Sequence, residues 1–172
     1  KIDDTQFNEI DIEILSGEFK TQYLTIKKST LNQTSSNDAV LEYYRNYRQA
    51  RNVKVDEKYY DEEFILPIKK KGRLTTEFGE QRYINNRKTS YNHTGIDIAN
   101  EKGINVYATN NGKVVLSKFL KLTGNTIIIN HGHNIYSYYQ HLGSLNINAN
   151  EVVKKDQLIG TVGSTGRSTG NN

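Results

Sequence analysis

His93 and Asp97 stand four residues apart in the stretch Asn92-His93-Thr94-Gly95-Ile96-Asp97-Ile98-Ala99. In an extended segment, positions i and i+4 project to the same face. An imidazole nitrogen and a carboxylate oxygen placed this way can converge on one ion. Zinc accepts both donor types at about 2.0–2.2 Å. Gly95, between them, lets the backbone bend or approach closely with no side chain in the way. The competing reading of such a pair is a turn with two solvated polar groups. Other stretches of the chain must supply the remaining parts of a site if the first reading holds.

His141 closes one such stretch, Tyr138-Tyr139-Gln140-His141-Leu142. A histidine at a strand end sits at a cleft rim, where it can take or give a proton near neutral pH. His131-Gly132-His133 offers two imidazoles at i, i+2, a good zinc pair on a straight strand. Here they fall in a glycine-containing turn and are read as turn residues. Residues 160–170 (GTVGSTGRSTG) have the composition of a phosphate cradle without the G-x-x-x-x-G-K-[ST] order. They read as a small-residue loop that lets a peptide backbone come close, with Arg167 as a substrate contact. Tyr138 and Tyr139 alternate faces, one for the core and one for a cleft; Tyr139 is assigned to substrate. Arg73 and Arg82 flank Phe78-Gly79, with Phe78 expected in the core and Arg82 as a structural ion-pair partner. The chain has no cysteine and 4 histidines, so any zinc must be held by imidazole and carboxylate.

The elements that carry these residues are mostly short strands. Residues 9–15 alternate isoleucine with acid and read as a half-buried strand. Ser16-Gly17 turns the chain into a second strand over residues 19–26, giving a hairpin. Several N-cap candidates lie at Thr34-Ser35-Ser36-Asn37-Asp38, followed by Val40, Tyr44 and Tyr47 at helical spacing; this predicts a helix over residues 38–51. An acidic linker covers residues 59–63. Beyond it, strands are expected near residues 74–78, 96–98, 106–108, 113–119, 125–130, 135–140, 151–154 and 158–162. Asn110-Asn111-Gly112 reads as a hairpin turn, and residues 85–91 as a loop leading to His93. The expected organisation is therefore a hairpin unit at 1–33, a helix and linker at 34–63, and a β-domain at 64–172. Short strands with frequent turn residues predict a β-sandwich or barrel.

At 172 residues the chain can bury a sizeable core, and no apolar run approaches the ~20 residues of a membrane span. The opening Lys1-Ile2-Asp3-Asp4 has no export signal and reads as the interior of something longer. The net charge of +4 suits an anionic polymer such as a bacterial wall, or nucleic acid. The basic residues are scattered among acids, however, and the arginines of the helix read as a solvated face, so no nucleic-acid partner is expected.

Four motifs recur in order: H-T-G-I-D at 93–97, N-T-I-I-I-N-H-G at 125–132, Y-x-H-L at 139–142 and V-K-K-D-Q-L-I-G-T-V-G-S-T-G-R-S-T-G at 153–170. From about residue 64 to 170 the chain resembles the lysostaphin/LytM-type zinc metallopeptidases, which cleave peptide cross-links of bacterial peptidoglycan. The resemblance implies a mainly β fold of the duplicated-hybrid-motif kind, preceded here by the hairpin and one helix. It implies Zn2+ as cofactor, His93 and Asp97 as two of its three protein ligands, and His141 as general base or oxyanion stabiliser. It also implies a place in the bacterial cell envelope, periplasmic or extracellular. In the family a Pro and an H-x-H pair follow the last S-T-G, whereas this sequence reads Gly170-Asn171-Asn172. The third ligand and a second catalytic histidine are thus missing, which implies a domain truncated before its last strands. A non-catalytic module that binds peptidoglycan or regulates a wall hydrolase is the alternative. A biotinyl- or lipoyl-type carrier, suggested by V-x-K-x-D-x-L-I-G, ranks below both because Lys154-Lys155 lies within strand and turn.

Overall fold

Ile127, Ile128 and Ile129 are all fully buried although they are consecutive. That is possible only where both faces of a strand are covered. The computed structural model describes residues 12–55, 57–61 and 63–171. In chain order the elements are β1 (Thr21–Leu24), α1 (Lys28–Thr34), α2 (Asn37–Asn52), β2 (Arg73–Thr76), β3 (Gln81–Ile84), β4 (Arg87–Asn92), β5 (Asp97–Ala99), β6 (Asn105–Tyr107), β7 (Gly112–Leu120), β8 (Gly124–Gly132), β9 (Ile135–Leu142), β10 (Ser144–Leu145), β11 (Val152–Val153) and β12 (Leu158–Thr161).

The strands form a sheet β11-β7-β8-β9, a sheet β10-β12-β6, a sheet β1-β3-β4 and the pair β2-β5. One face of the four-stranded sheet sends Val114, Ile127, Ile129 and Tyr139 into a core with Val106, Ile159 and Val162 of the facing segment. The other face presents Leu116, Leu120 and Ile128 to Tyr47 and Ala50 of α2. Simple alternation would put Val114 and Leu116 on one face. A register shift between them turns Leu116 to the α2 side, which is how one strand serves two cores.

Helix α2 starts where its cap predicts. Ser36 Oγ accepts from the Ala39 amide at 3.2 Å. Tyr47 stacks on Tyr138 of β9 with centroids 5.6 Å apart, and Gln140 Nε2 donates to the Tyr47 hydroxyl at 2.8 Å. The linker is tied down as well, with the Tyr59 amide donating to the His131 carbonyl and the Ile65 amide to that of Thr109.

Four expectations change. The hairpin of 9–15 with 19–26 is not formed among the described residues: residues 9–11 lie outside them, residues 12–15 have no strand partner, and β1 pairs in parallel with β3. A second helix, α1, precedes the expected one. Asn110-Asn111-Gly112 does not close a hairpin, because β6 pairs with β12 and β7 with β8. Asn110 is fully buried and spends its side chain on the linker, accepting from the Asp61 amide at 3.0 Å. Residues 85–91 are not a loop: Asn85 and Asn86, both at positive φ (48° and 65°), turn β3 into β4.

Candidate metal centre

His93 follows β4 and Asp97 opens β5. Two backbone bonds seat the histidine: its amide donates to the Glu80 carbonyl at 2.9 Å, and its carbonyl accepts from the Gly79 amide at 2.8 Å. Its Nδ1 lies 3.2 Å from the Glu77 carbonyl, which can only accept, so Nδ1 carries hydrogen and Nε2 is the nitrogen left for a ligand. Nε2 sits 3.3 Å from Asp97 Oδ1. Two donors bound to one tetrahedral zinc at ordinary bond lengths lie about 3.3–3.5 Å apart. The pair is therefore spaced as two ligands of one ion. Both side chains are largely enclosed, with 14% and 22% of their surfaces exposed.

The other oxygen of Asp97, Oδ2, accepts from Arg82 Nη2. Burial alone would push the Asp97 carboxyl up, but hydrogen bonds from its neighbours and the Arg82 charge outweigh it and hold the group at about 2. It is a carboxylate at any physiological pH. Partners on the far side of each ligand are what orient metal-binding side chains, and here they are a backbone carbonyl for His93 and a guanidinium for Asp97.

His141 ends β9 with a left-handed backbone, φ 59°. Its amide donates to the Thr123 carbonyl, and its Nδ1 lies 2.7 Å from the Thr165 carbonyl. Nε2 is thus the basic nitrogen. Burial pushes the imidazole below its ordinary pKa, while the Thr165 carbonyl and the Asp97 charge raise it and Arg167 and Arg82 lower it. The net direction is down, so His141 is neutral at pH 7. That Asp97, Arg82 and Arg167 act on it puts all four in one electrostatic neighbourhood. The loop at 160–170 does more than stay out of the way. A Cβ on Gly124, at φ 66°, would fall 2.4 Å from the Thr165 carbonyl carbon, so that glycine lets the loop settle on β8 and aim its carbonyl at His141.

The remaining expectations divide. Arg167 lies in the same loop, donating to the Tyr91 hydroxyl at 2.8 Å and to Ser35 Oγ at 3.5 Å. Tyr139 is 5% exposed, and its hydroxyl accepts from the Thr109 amide at 2.8 Å. That corrects its assignment to a cleft: it is a core residue. Tyr138 faces the other way, half-buried against Tyr47 of α2. Phe78, expected in the core, is 63% exposed. His131 is buried, with Nδ1 2.6 Å from the Asn111 carbonyl and Nε2 2.8 Å from Ser137 Oγ. His133 is exposed at φ 49°, so the two do not form a metal pair. Among the described residues no group of three His, Asp or Glu side chains is placed to hold a metal. His93 and Asp97 come together as a pair, and among the described residues no third His, Asp or Glu joins them. Sequence reasoning missed Glu77 and Thr165, which act through backbone carbonyls and leave no signal in residue type.

The β-scaffold thus braces a His–Asp pair and holds His141 within reach of the Asp97 charge. Residues 91–172 match the model of peptidase family M23, and the chain belongs to that family. Over 104 residues it is 33% identical to the peptidoglycan DD-endopeptidase ShyA of Vibrio cholerae, covering 60% of this chain and 24% of that protein. Over 76 residues it is 42% identical to the murein hydrolase activator NlpD of Escherichia coli, covering 44% of this chain and 20% of that one. The aligned part thus spans a quarter or less of either relative. The solved structure of LytU superposes with a TM-score of 0.51 at 30% identity, over 60% of this chain and 70% of LytU. The mainly β architecture expected from the sequence is the observed one. No helix among the described residues is long and apolar enough to cross a membrane.

Proposed function

We propose that this chain carries the metal site of a zinc endopeptidase that hydrolyses peptide cross-links of bacterial peptidoglycan, in the periplasmic or extracellular part of the cell envelope. The observation that carries the reading is the 3.3 Å approach of His93 Nε2 to Asp97 Oδ1, with the far side of each residue already bonded. Similarity to ShyA supports the substrate class. His93 and Asp97 would hold the ion, and a bound zinc would supply an acidified water and polarise the scissile carbonyl. His141 Nε2 takes a proton from the attacking water and returns it to the leaving amine. Its neutral state at pH 7 leaves it basic, and the Thr165 carbonyl keeps it from rotating away. Arg82 keeps Asp97 ionised and aimed. Arg167 meets a carboxylate of the substrate peptide after leaving Tyr91.

A second reading has its own support. A catalytic zinc takes three protein ligands and a water, and the described residues offer two at one point. A non-catalytic relative that regulates a wall hydrolase is supported by the similarity to NlpD, named as an activator. Elemental analysis decides between them, run on this chain and on one extended past Asn172, together with mass spectrometry of purified peptidoglycan after incubation. The enzyme reading expects one zinc per extended chain, lost in His93→Ala and in Asp97→Ala, with new peptide ends in the wall. An extended chain without zinc and without cleavage supports the regulatory reading.

A further inference from the structure

Besides His93, two side chains reach Asp97, and both are held by a third. Arg82 Nη2 donates to its Oδ2. The Thr76 hydroxyl hydrogen-bonds the same carboxylate. Behind them lies Gln22 of β1. Its Oε1 accepts from Arg82 Nε at 2.9 Å, and its Nε2 donates to Thr76 Oγ1 at 2.6 Å. The amide orientation follows from chemistry: arginine can only donate, so the amide oxygen faces it and the NH2 group faces Thr76. Because Thr76 Oγ1 accepts from Gln22, its own hydrogen is free for Asp97. The brace is registered by two strand pairings, Gln22 opposite Arg82 and Thr76 opposite Asp97. Thr76 is 1% exposed, so its hydroxyl has no water to turn to.

We propose that Gln22 is a positioning residue for Asp97, acting through Arg82 on one side and Thr76 on the other. β1 is then part of the metal centre. The inference rests on the reading of Asp97 as a ligand. Glutamine is the residue the place requires, since one side chain must accept from a guanidinium and donate to a hydroxyl at once. Glutamate would keep the first bond, lose the second and draw Arg82 away from Asp97. The docking of β1 is itself specific. The Phe19 ring stands 2.2 Å from where a Cβ of Gly79 would lie, and the Gln81 amide donates to the Lys20 carbonyl. Gln22, Thr76 and Arg82 all lie outside the residues that match the family model.

The test compares Gln22→Met, which keeps volume and loses both bonds, with Tyr23→Ala. The latter removes the stacking of Tyr23 on Tyr83 in the same strand pair and touches nothing at Asp97. Zinc affinity is measured by chelator competition on the chain extended past Asn172, and exchange of the Arg82 Nε–H by NMR on the metal-free protein. Gln22→Met is expected to weaken zinc about tenfold or more and to expose the Arg82 Nε–H to exchange, with Tyr23→Ala staying within about twofold of the parent despite lower stability. A merely structural role would make the two variants behave alike. Unchanged zinc affinity in Gln22→Met, or an Arg82 Nε–H still protected, overturns the proposal while leaving the metal site standing. A parent protein that binds no zinc, or binds it without His93 and Asp97, overturns the site reading and this proposal together.

Discussion

His131 shows how a histidine can be built into the core of a domain through its hydrogen bonds. Its ring is fully buried, bonded to the Asn111 carbonyl and to Ser137, and Ser137 in turn meets the Tyr139 hydroxyl at 3.0 Å. Burial holds the imidazole below its ordinary pKa. The unfolded chain titrates near 6.5, so as pH falls the unfolded state takes up the proton first. The stability tied to the neutral ring is complete above about 6.5 and is lost as pH drops from there toward the folded pKa. His141, also shifted down by burial, acts in the same direction. The urea midpoint of the metal-free protein is expected to fall between about pH 7.5 and 5, and to fall less steeply in His131→Asn. An equal slope in the variant would mean that this ring does not titrate between the two states.

At the scale of elements, the β3–β4 hairpin carries the chain into His93, and its turn is made of two asparagines with distinct duties. Asn85 bonds both backbone groups of Ile26, accepting from its amide and donating to its carbonyl, each at 2.9 Å. Asn86, at φ 65°, is exposed and only has to tolerate the left-handed backbone. Asn85→Ala should therefore cost about 1–3 kcal/mol, because two backbone groups of a buried residue lose their partner. Asn86→Gly should be neutral or stabilise by up to about 1 kcal/mol, since glycine pays no penalty at positive φ. Thermal denaturation of the two variants reads opposite signs from adjacent positions. The same duality explains why residues 85–91 did not read as strand in the sequence. Polar, basic β4 is an exposed sheet edge with no alternation, and only its pairing with β3 identifies it.

On the scale of the whole molecule, α2 is a structural layer of the β-domain. Tyr47 is 6% exposed between Tyr43 and Tyr138, closing the second core over Leu116, Leu120 and Ile128. Truncating it to alanine is expected to cost about 3–5 kcal/mol by chemical denaturation, as for other large buried aromatics. Tyr47→Phe should cost about 1 kcal/mol, for the loss of the hydroxyl's bonds to Gln140 and Thr123. A loss in Tyr47→Ala as small as in Tyr47→Phe would show that the helix does not seal this face. Because Gln140 precedes His141, the helix also steadies the strand end that presents the candidate base.

The sequence by itself determined the fold class, the helix of residues 38–51 with a cap among residues 34–38, and the candidate trio His93, Asp97 and His141. Each was legible because the signal is local: alternation, capping chemistry, or two donors at short fixed spacing. Tertiary structure decided that Tyr139 is core and Phe78 is exposed, that β1 pairs with β3, and that Arg82, Thr76 and Gln22 stand behind Asp97. Those outcomes depend on which strands pair and which faces are covered. Residues sixty positions apart share a hydrogen bond only after the chain has closed, and nothing in residue type or spacing records it beforehand.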